Sequence, residues 1–435
     1  MATNAAQPAP STQATNPQPQ TTVKPASTSF WQHSFPGNGP QYVTSFSGAG
    51  GGFATQITTP LTPVSGYYRR FRVTVTATGG TTSVTMTAFG NDAPFNAIQQ
   101  VILKDASGNV NIINLPGWEA LRLLPIISGT SGLGRYVDPA SYPYYQAPQQ
   151  GWKTGAASFK FQSFLPLEFG AEGVGCIGGD NASVLPSLTF FTNASSVVYP
   201  YPPSTVPTLN VQVDADFWWN PDQPDLLPDG LGSSRQYTLL VGTPGVSSGS
   251  AVLVTLPKFG GGFVDSVTLI MRDSLGVRTD TGWPLRVQLY FDNVAYINET
   301  IDQIIWDMYN VLQLEGNTYI NPVNGATVYP ITAAGLTASD PYYNTAILVG
   351  PPGLATYEPA GTRPIGVLHF SFRNGVNQTD TGLEQSGLNY VSTTPGTNIQ
   401  IGGTGWQNIF SDANTPYTIT AIIGLVVPAG TLVTT

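Results

Sequence analysis

The chain has 435 residues, of which only 9% are Asp, Glu, Lys or Arg, and its formal net charge is −9. An ordinary soluble domain carries roughly 25% charged residues, so the composition favours a β-rich building block whose surface is largely covered by other chains. The negative charge disfavours a broad electrostatic grip on nucleic acid. The single Cys176 excludes an intrachain disulfide framework and a cysteine-cluster metal site.

Residues 1–29 contain mostly Pro, Gln, Thr, Ala, Ser and Asn, and Lys24 is their only charged side chain. Such a segment cannot bury enough apolar surface to offset the entropy that it would lose on ordering. We therefore expect a disordered N-terminal arm. Two interpretations stay open: a tail without a role, or an arm that becomes ordered when the protein assembles.

From residue 30 onward the sequence predicts short strands separated by turns rich in glycine and proline. Residues 70–76 alternate between polar and apolar side chains, which is typical of a strand with one buried face. Many short strands of this kind favour a β-sandwich or barrel over alternating strands and helices. Strands are predicted at 70–76, 83–87, 99–104, 158–167, 187–192, 208–218, 236–241, 251–256, 266–271, 285–291, 366–372 and 417–427.

Two segments are predicted to be helices. The first spans 117–127, with the sequence GWEALRLLPII, and is expected to end at Pro125. The second spans 300–314, where Thr300 and Gln303 have the spacing of a capping box at a helix N-terminus. Apolar residues of this second segment recur at the spacing of one helix face, which predicts that the face packs on the core. They are Ile301, Ile304, Ile305, Met308, Tyr309 and Leu312.

The same order of elements occurs twice along the chain. In the first half, residues 101–108 are followed by a strand and then by the helix at 117–127. In the second half, residues 267–276 are followed by the strand at 285–291 and then by the helix at 300–314. We interpret 101–108 and 267–276 as equivalent segments of an internal repeat.

Each helix is followed by a long segment rich in Gly, Pro and Tyr, at 128–157 and at 315–364. Loops of this length are unusual unless they are functional surface features, and their recurrence at the same place in both halves favours that interpretation. The length of the chain is sufficient for two domains, each with its own core. The predicted organisation is an arm at 1–29, a first domain at 30–222, a linker at 223–234 and a second domain at 235–435.

A short motif adds to this architecture. Residues 161–169 read FQSFLPLEF and are followed by Glu172, Gly175 and Ile177. In its repeated order of elements and in this motif, the chain resembles the double jelly-roll major capsid proteins of tectivirus-like icosahedral viruses. Members of that family often end a strand of the first roll in an apolar-Pro-Leu segment followed by an acidic residue and a glycine. Glu172 and Val174 stand here where Asp-Leu is common.

The resemblance implies an all-β fold of two tandem eight-stranded jelly rolls, a double jelly roll, with short helices and long loops. It further implies a homotrimer whose six rolls form a pseudo-hexagonal capsomer of a virion shell, with the long loops raised outward. The expected partners are other copies of the chain, minor capsid and vertex proteins and an internal viral membrane. No enzymatic activity, no cofactor and no specific binding of nucleic acid are expected. The alternative is a carbohydrate-binding β-sandwich protein of a spike or surface layer.

Few residues are suited to catalysis. Of His33 and His369, the second alternates with apolar neighbours, which favours a structural histidine of a sheet over a catalytic base. Residues 173–178 match G-x-G-x-x-G, but a dinucleotide site needs a helix directly after the motif, and a strand is predicted there. Residues 245–249 match G-x-S-x-G, but a nucleophile elbow also leads into a helix, so a hairpin loop is favoured.

Five carboxylates lie close together in the sequence, and hard cations such as Ca²⁺ bind several oxygen ligands. Their spacing is not that of a calcium-binding loop, and three prolines interrupt it. A solvated linker is therefore favoured over a cation site. The five residues are Asp214, Asp216, Asp222, Asp225 and Asp229.

The densest basic segment is YYRRFR at residues 67–72. Strand alternation predicts that Arg70 and Arg72 share one face and that Arg69 lies on the other. Ion pairing with nearby carboxylates or with a neighbouring subunit is favoured over contact with the phosphates of lipid or genome. We assign no catalytic, cofactor-binding or metal-binding residue from the sequence.

Overall fold

The computed structural model describes the following residues of the chain. They are 34–45, 51–81, 90–128, 157–169, 175–200, 202–222, 226–227, 233–244, 251–312, 314, 319–320, 327–328, 331–332, 347–348, 356–358, 363–372, 391–404, 406 and 417–428. The predicted arm at 1–29, the strand at 83–87, His33 and nearly all of the segment 128–157 lie outside these residues.

The first half forms two facing sheets. Its strands are β1 (Pro36–Ser45), β2 (Gln56–Pro60), β3 (Gly66–Thr78), β4 (Ile98–Lys104), β5 (Asn111–Pro116), β6 (Phe159–Pro166), β7 (Ile177–Gly178), β8 (Ser187–Thr192) and β9 (Thr208–Trp219). The sheet orders are β1-β9-β3-β6 and β2-β8-β4-β5, and the short β7 pairs with β3. Counted over the eight long strands, the orders are first-eighth-third-sixth and second-seventh-fourth-fifth, which is a jelly roll.

The second half repeats this order. Its strands are β10 (Ser233–Val241), β11 (Thr243–Pro244), β12 (Ala251–Thr255), β13 (Gly262–Arg272), β14 (Arg286–Phe291), β15 (Val294–Thr300), β16 (Tyr319–Ile320), β17 (Thr327–Val328), β18 (Ile331–Thr332), β19 (Ile347–Leu348), β20 (Thr356–Glu358), β21 (Val367–Ser371), β22 (Val391–Thr393), β23 (Ile399–Thr404) and β24 (Thr418–Pro428). The long strands form β10-β24-β13-β21 and β12-β23-β14-β15, while β16 to β20 form two small separate sheets. The predicted all-β double jelly roll is confirmed.

Each roll encloses an apolar core between its two sheets. In the first roll, β3 alternates strictly from Arg70 onward, so that Phe71, Val73 and Val75 are fully buried while the residues between them are partly exposed. Burying one such side chain contributes about 1.5–3 kcal/mol. The second roll has its own core cluster, but the first cluster also takes in residues of the second half, including Tyr237 and Ile422. The first cluster thus extends into the second half of the chain.

The first helical segment continues past its proline. A π-helical turn at Glu119–Leu123 leads into the α-helix α1 (Leu124–Ile127), so the expectation that the helix ends at Pro125 is wrong. In a regular helix the N–H of residue 125 would donate to the carbonyl of Leu121, and proline has none. The hydroxyl of Ser163 donates a hydrogen bond to that carbonyl instead, so the helix continues. A second short helix, α2, spans Ser195–Val198.

The helix α3 spans Ile301–Leu312, and its predicted start is confirmed. The backbone N–H of Thr300 donates to Gln303 Oε1 at 2.9 Å and the N–H of Gln303 donates to Thr300 Oγ1 at 3.4 Å, which is a capping box. Ile304, Met308 and Leu312 are buried, as the apolar spacing predicts. None of the helices in the described residues is long and apolar enough to cross a membrane.

The equivalence proposed for residues 101–108 and 267–276 is wrong by one strand. Val101 lies in β4, the fourth strand of the first roll, whereas Val267 lies in β13, the third strand of the second roll. The fifth strand of the second roll, β15, has the sequence VAYINET and is largely exposed. Because β15 lacks the alternation of a half-buried strand, its sequence does not mark it as a strand, and without it the two halves align one strand out of step.

Candidate functional site: the junction between the two rolls

His369 is a structural residue of the sheet. It lies in β21, is only 4% exposed, and its Nδ1 is 2.8 Å from the hydroxyl of Thr268 on the adjacent strand. Its backbone N–H donates to the sulfur of Met308 on α3 at 3.2 Å. These contacts favour the predicted packing role of His369 over general-base chemistry.

The two glycine motifs are placed among strands. Within 173–178, the structure describes Gly175 to Gly178, where a turn leads into β7, and the next regular element of the chain is the strand β8. The helix that would receive a pyrophosphate is therefore not found between Gly175 and β8. Residues 245–249 lie outside the described residues, but they connect β11 and β12, which pair antiparallel.

Two of the five clustered carboxylates belong to a strand, so their assignment to a linker is wrong. Asp214 and Asp216 lie in β9. Asp216 binds Arg70 Nε at 2.5 Å and Arg72 Nη2 at 2.7 Å across the sheet. Within the part of the chain that the structure describes, no group of three His, Cys, Asp or Glu residues is placed to hold a metal ion. Asp225 and Asp229 lie outside that part.

Arg69, by contrast, is buried. Its Nε lies 2.8 Å from Glu168 Oε2, and its guanidinium stacks 4.0 Å above the ring centre of Trp218. Glu168 is the acidic residue of the motif at 161–169, so this part of the motif has a structural role. The predicted ion pairing of the basic segment with nearby carboxylates is confirmed for Arg69, Arg70 and Arg72.

The buried Cys176 lies beside this pair. Burial, together with the nearby charge of Glu168, raises the pKa of the Cys176 thiol well above its usual value and outweighs the opposing effect of Arg69. A thiol held in its neutral form is a poor nucleophile. Cys176 therefore does not supply nucleophilic chemistry to this region.

The two rolls are joined by a shared sheet. The edge strand β5 of the first roll pairs in parallel with the edge strand β10 of the second, with Ile113 opposite Tyr237 and Asn114 opposite Thr238. One sheet of each roll is thereby merged into a single nine-stranded sheet. We call this pairing and the ionic network described next the roll junction.

An ionic network crosses the roll junction. Arg272, at the end of β13, binds Asp92 at 2.6 Å and Glu119 at 3.1 Å, and both of these carboxylates belong to the first roll. Arg278 binds the other oxygen of Asp92 at 2.7 Å and Glu358 at 2.7 Å. Glu358, which lies in β20, also accepts a longer contact of 3.4 Å from Arg122 of the first roll.

Most of the network is buried. The side chains of Arg122, Arg278 and Glu358 are fully buried, and the ring of Trp118 lies 3.8 Å from the guanidinium of Arg278. Removing one partner of a buried ion pair costs about 3–5 kcal/mol, because the remaining charge stays in a medium that solvates it poorly. The six charges thus fix the relative position of the two rolls.

The pKa values of Asp92 and Arg278 reflect this packing. Burial by itself would raise the pKa of the Asp92 carboxyl, but Arg272 and Arg278 outweigh it and hold that pKa below its usual value. Likewise, burial would lower the pKa of Arg278, but Glu358 and Asp92 raise it. Asp92 and Arg278 are therefore both charged near neutral pH, as an ionic link between the rolls requires.

Two further arginines each bind a carboxylate and a backbone carbonyl. Arg235 of β10 binds Asp265 at 2.7 Å and donates to the carbonyl of Ser128, at the end of α1, at 2.7 Å. Arg363 binds Asp280 at 2.6 Å and donates to the carbonyl of Val367 at 2.8 Å. Arg363 thereby anchors the C-terminal end of the long segment 315–364 to the second roll.

The ionic network leaves no local pattern in the sequence. Its members are far apart along the chain, so no local spacing marks them. One signal was present: Glu119 and Arg122 are charged residues within an otherwise apolar helix. In a chain with so few charges, a charged residue in an apolar segment indicates a buried partner.

The second roll has a counterpart of β5 that no described strand covers. β15 is also the fifth strand of its roll and also leads directly into a helix. Ile112 and Ile113 of β5 are at most 3% exposed, whereas Val294 and Tyr296 of β15 are 59% and 54% exposed. Trp306, on the outer side of α3, is 68% exposed. We call the surface of Val294, Tyr296 and Trp306 the open face.

No protein-family model matches the sequence, and no curated protein matches it. Several solved structures are similar. The crystal structure of the STIV major capsid protein is 12% identical, with a TM-score of 0.52, and the match covers 91% of this chain and 97% of that one. A structure from Sulfolobus turreted icosahedral virus is 13% identical, covers 90% of each chain and has a TM-score of 0.47. The major capsid protein P2 from bacteriophage PM2 is 7% identical, with a TM-score of 0.43 and coverage of 90% and 98%. The chain therefore shares the double jelly-roll fold of the STIV protein.

Proposed function

We propose that this protein is the major capsid protein of an icosahedral virus and that three copies of it form a pseudo-hexagonal capsomer. The observation that carries the proposal is the likeness to the STIV major capsid protein, which spans nearly the whole of both chains. The shared unit is the complete pair of rolls, and not a single roll of the kind that occurs in many unrelated proteins.

The architecture supports a trimer. Each chain supplies two rolls with the same strand order, so three chains bring six similar rolls to one ring. Closed rings are the usual outcome when one head-to-tail contact is repeated with a rotation that closes. The roll junction keeps the two rolls of a chain in fixed relation, which a rigid shell subunit requires. The low content of charged residues suits surfaces that become covered by neighbours.

The proposal includes partners and an orientation in the shell. Neighbouring capsomers, minor capsid and vertex proteins and an internal membrane are the expected contacts in a virion. Residues 1–29 would lie on the inner side or between capsomers, and the segments 128–157 and 315–364 would lie outside. We include no enzymatic activity and no specific nucleic-acid binding in the proposal.

Light scattering and negative-stain electron microscopy test the proposal on the purified full chain. We expect a particle of three chains, each of 46.1 kDa, with a pseudo-hexagonal outline. A stable monomer at micromolar concentration would contradict it. A monomer that binds glycans on an array would support the carbohydrate-binding alternative instead.

A further inference from the structure

We infer that the open face of the second roll is covered by the β1 edge of the first roll of a second copy of this chain. Within one chain, β10 of the second roll covers β5 of the first roll. The proposed contact would repeat this arrangement between two chains. This inference rests on the proposed function, because it names the surface through which copies of the capsid protein join.

The first step is the equivalence of the four edge strands. β5 and β15 are each the fifth strand of their roll and each lies at the end of a sheet. β1 and β10 are each the first strand of their roll and each lies at the end of the other sheet. Within one chain, β5 pairs with β10. The corresponding pair that remains is β15 and β1.

The second step is that both remaining strands have an edge to which no described strand is bound. β15 pairs only with β14, and β1 only with β9, among the described strands. An uncovered strand edge presents unpaired N–H and C=O groups and is a template for pairing with another chain. A symmetric contact would pair β15 with β15 or β1 with β1, whereas the ring proposed above needs a head-to-tail contact between unlike edges, such as β15 with β1.

The third step is the chemistry of the open face. Val294, Tyr296 and Trp306 are each more than half exposed, and tryptophan and tyrosine are among the residues most often found as anchors of protein interfaces. A cavity of about 340 Å³ lies next to it, between β15, α3 and β21. On the other edge, Phe35 is 70% exposed directly before β1 and supplies an apolar side chain to the contact.

The fourth step is the contrast in charge with the roll junction. Within one chain, Arg272 and Arg278 at and beyond the end of β13 form the ionic link, whereas β3, the counterpart of β13, ends in Ala77 and Thr78. The contact between chains would therefore depend on apolar burial.

The direct test places a charge in the open face of the full chain. Trp306→Asp and Tyr296→Asp should each weaken trimer formation by about tenfold or more, as expected for anchor residues of an interface. Val184→Asp, at a residue that is 50% exposed in the first roll, is the matched control and should leave the trimer intact. Light scattering over a dilution series gives the association, and circular dichroism shows whether each variant folds.

Hydrogen exchange provides a second readout that does not depend on a variant. The amides of β15 and β1 should exchange more slowly in the wild-type trimer than in the monomer obtained by dilution, while those of β5 should be equally protected in both. If the trimer forms but β15 exchanges fast and both Asp variants still assemble, the inference is wrong and the proposed function stands. If the wild-type chain is a monomer at every concentration, the proposed function fails and the inference fails with it.

Discussion

β5 and β15 are the same strand of their respective rolls, yet their surroundings are opposite. β5 is covered by β10, and the helical turns that follow it, from Glu119 to Ile127, are buried on every side. β15 is exposed, and the helix α3 that follows it buries only one face. The difference shows that neighbouring chain segments, and not the topology of the roll, determine which sequence an element carries.

The charged residues that follow β5 and β15 differ in the same way. At the covered edge, Glu119 and Arg122 are buried because partners from the second roll neutralise them. At the open edge, the charged residues of α3, Asp302 and Asp307, are exposed. A charge is retained at the roll junction only where an opposite charge reaches it, since burying an unpaired one is costly. The following variants test this comparison, from the largest expected effect to the smallest.

The largest effect is expected at the centre of the ionic network. Arg278→Met leaves Asp92 without one of its two partners and Glu358 without its closer one, and should lower the free energy of unfolding by about 3–5 kcal/mol. Arg286→Met, on an exposed arginine of the same roll that contacts Asn298, is the control and should change it by less than about 0.5 kcal/mol. Urea denaturation followed by tryptophan fluorescence measures both. Equal stability of the two variants would show that the network does not hold the rolls together.

A somewhat smaller effect is expected on the buried side of α3. Ile304 is 1% exposed, and Ile304→Ala should lower the free energy of unfolding by about 2–5 kcal/mol through lost burial and a residual cavity. Asn310→Ala, on the exposed side of the same helix, should have little effect. Thermal melts of the two variants compare the faces. A melting temperature of Ile304→Ala like that of wild type would contradict the packing of this helix on the core.

The sequence predicted those elements whose own side chains alternate or follow a helical period. β8 was predicted with its observed bounds, and β9 and β24 to within a residue or two. β1 (PGNGPQYVTS) and β15 were missed, because edge strands with one neighbour do not need a strictly apolar face. The roll junction was also missed. Asp92 and Arg278 are separated by 186 residues, and only the folded chain brings them together.

Lowering the pH should weaken the roll junction. The pKa of Asp92 is below its usual value, so its contribution to stability is present above the usual pKa of an aspartate and is lost as the pH falls through the lower, folded-state pKa. Asp92→Asn removes this contribution. Wild-type and variant chains should therefore differ most in stability near neutral pH and converge at strongly acid pH. A difference that stays constant with pH would show that Asp92 is not charged in the folded chain.

The smallest effect is expected at Glu299 beside the open face, where the substitution should stabilise the chain, unlike those above. Burial, with the nearby charge of Asp307, raises the pKa of the Glu299 carboxyl, and His369 also lines the adjoining cavity. A raised pKa means that the folded chain holds the proton more tightly than the unfolded chain, so stability falls as the pH rises from the usual pKa of glutamate through the raised one. Glu299→Gln should be as stable as wild type at acid pH and slightly more stable at neutral pH.

Asp302→Asn is the matched control on α3, because a carboxylate in the first turn of a helix is favoured by the helix dipole and its loss should destabilise the chain. Melting temperatures measured across the pH range show whether each substitution stabilises or destabilises the chain. If a second copy covers the open face, Glu299 loses further contact with water in the trimer, and the gain from Glu299→Gln at neutral pH should be larger for the trimer than for the diluted monomer. Equal gains in both states would place Glu299 outside the contact between chains.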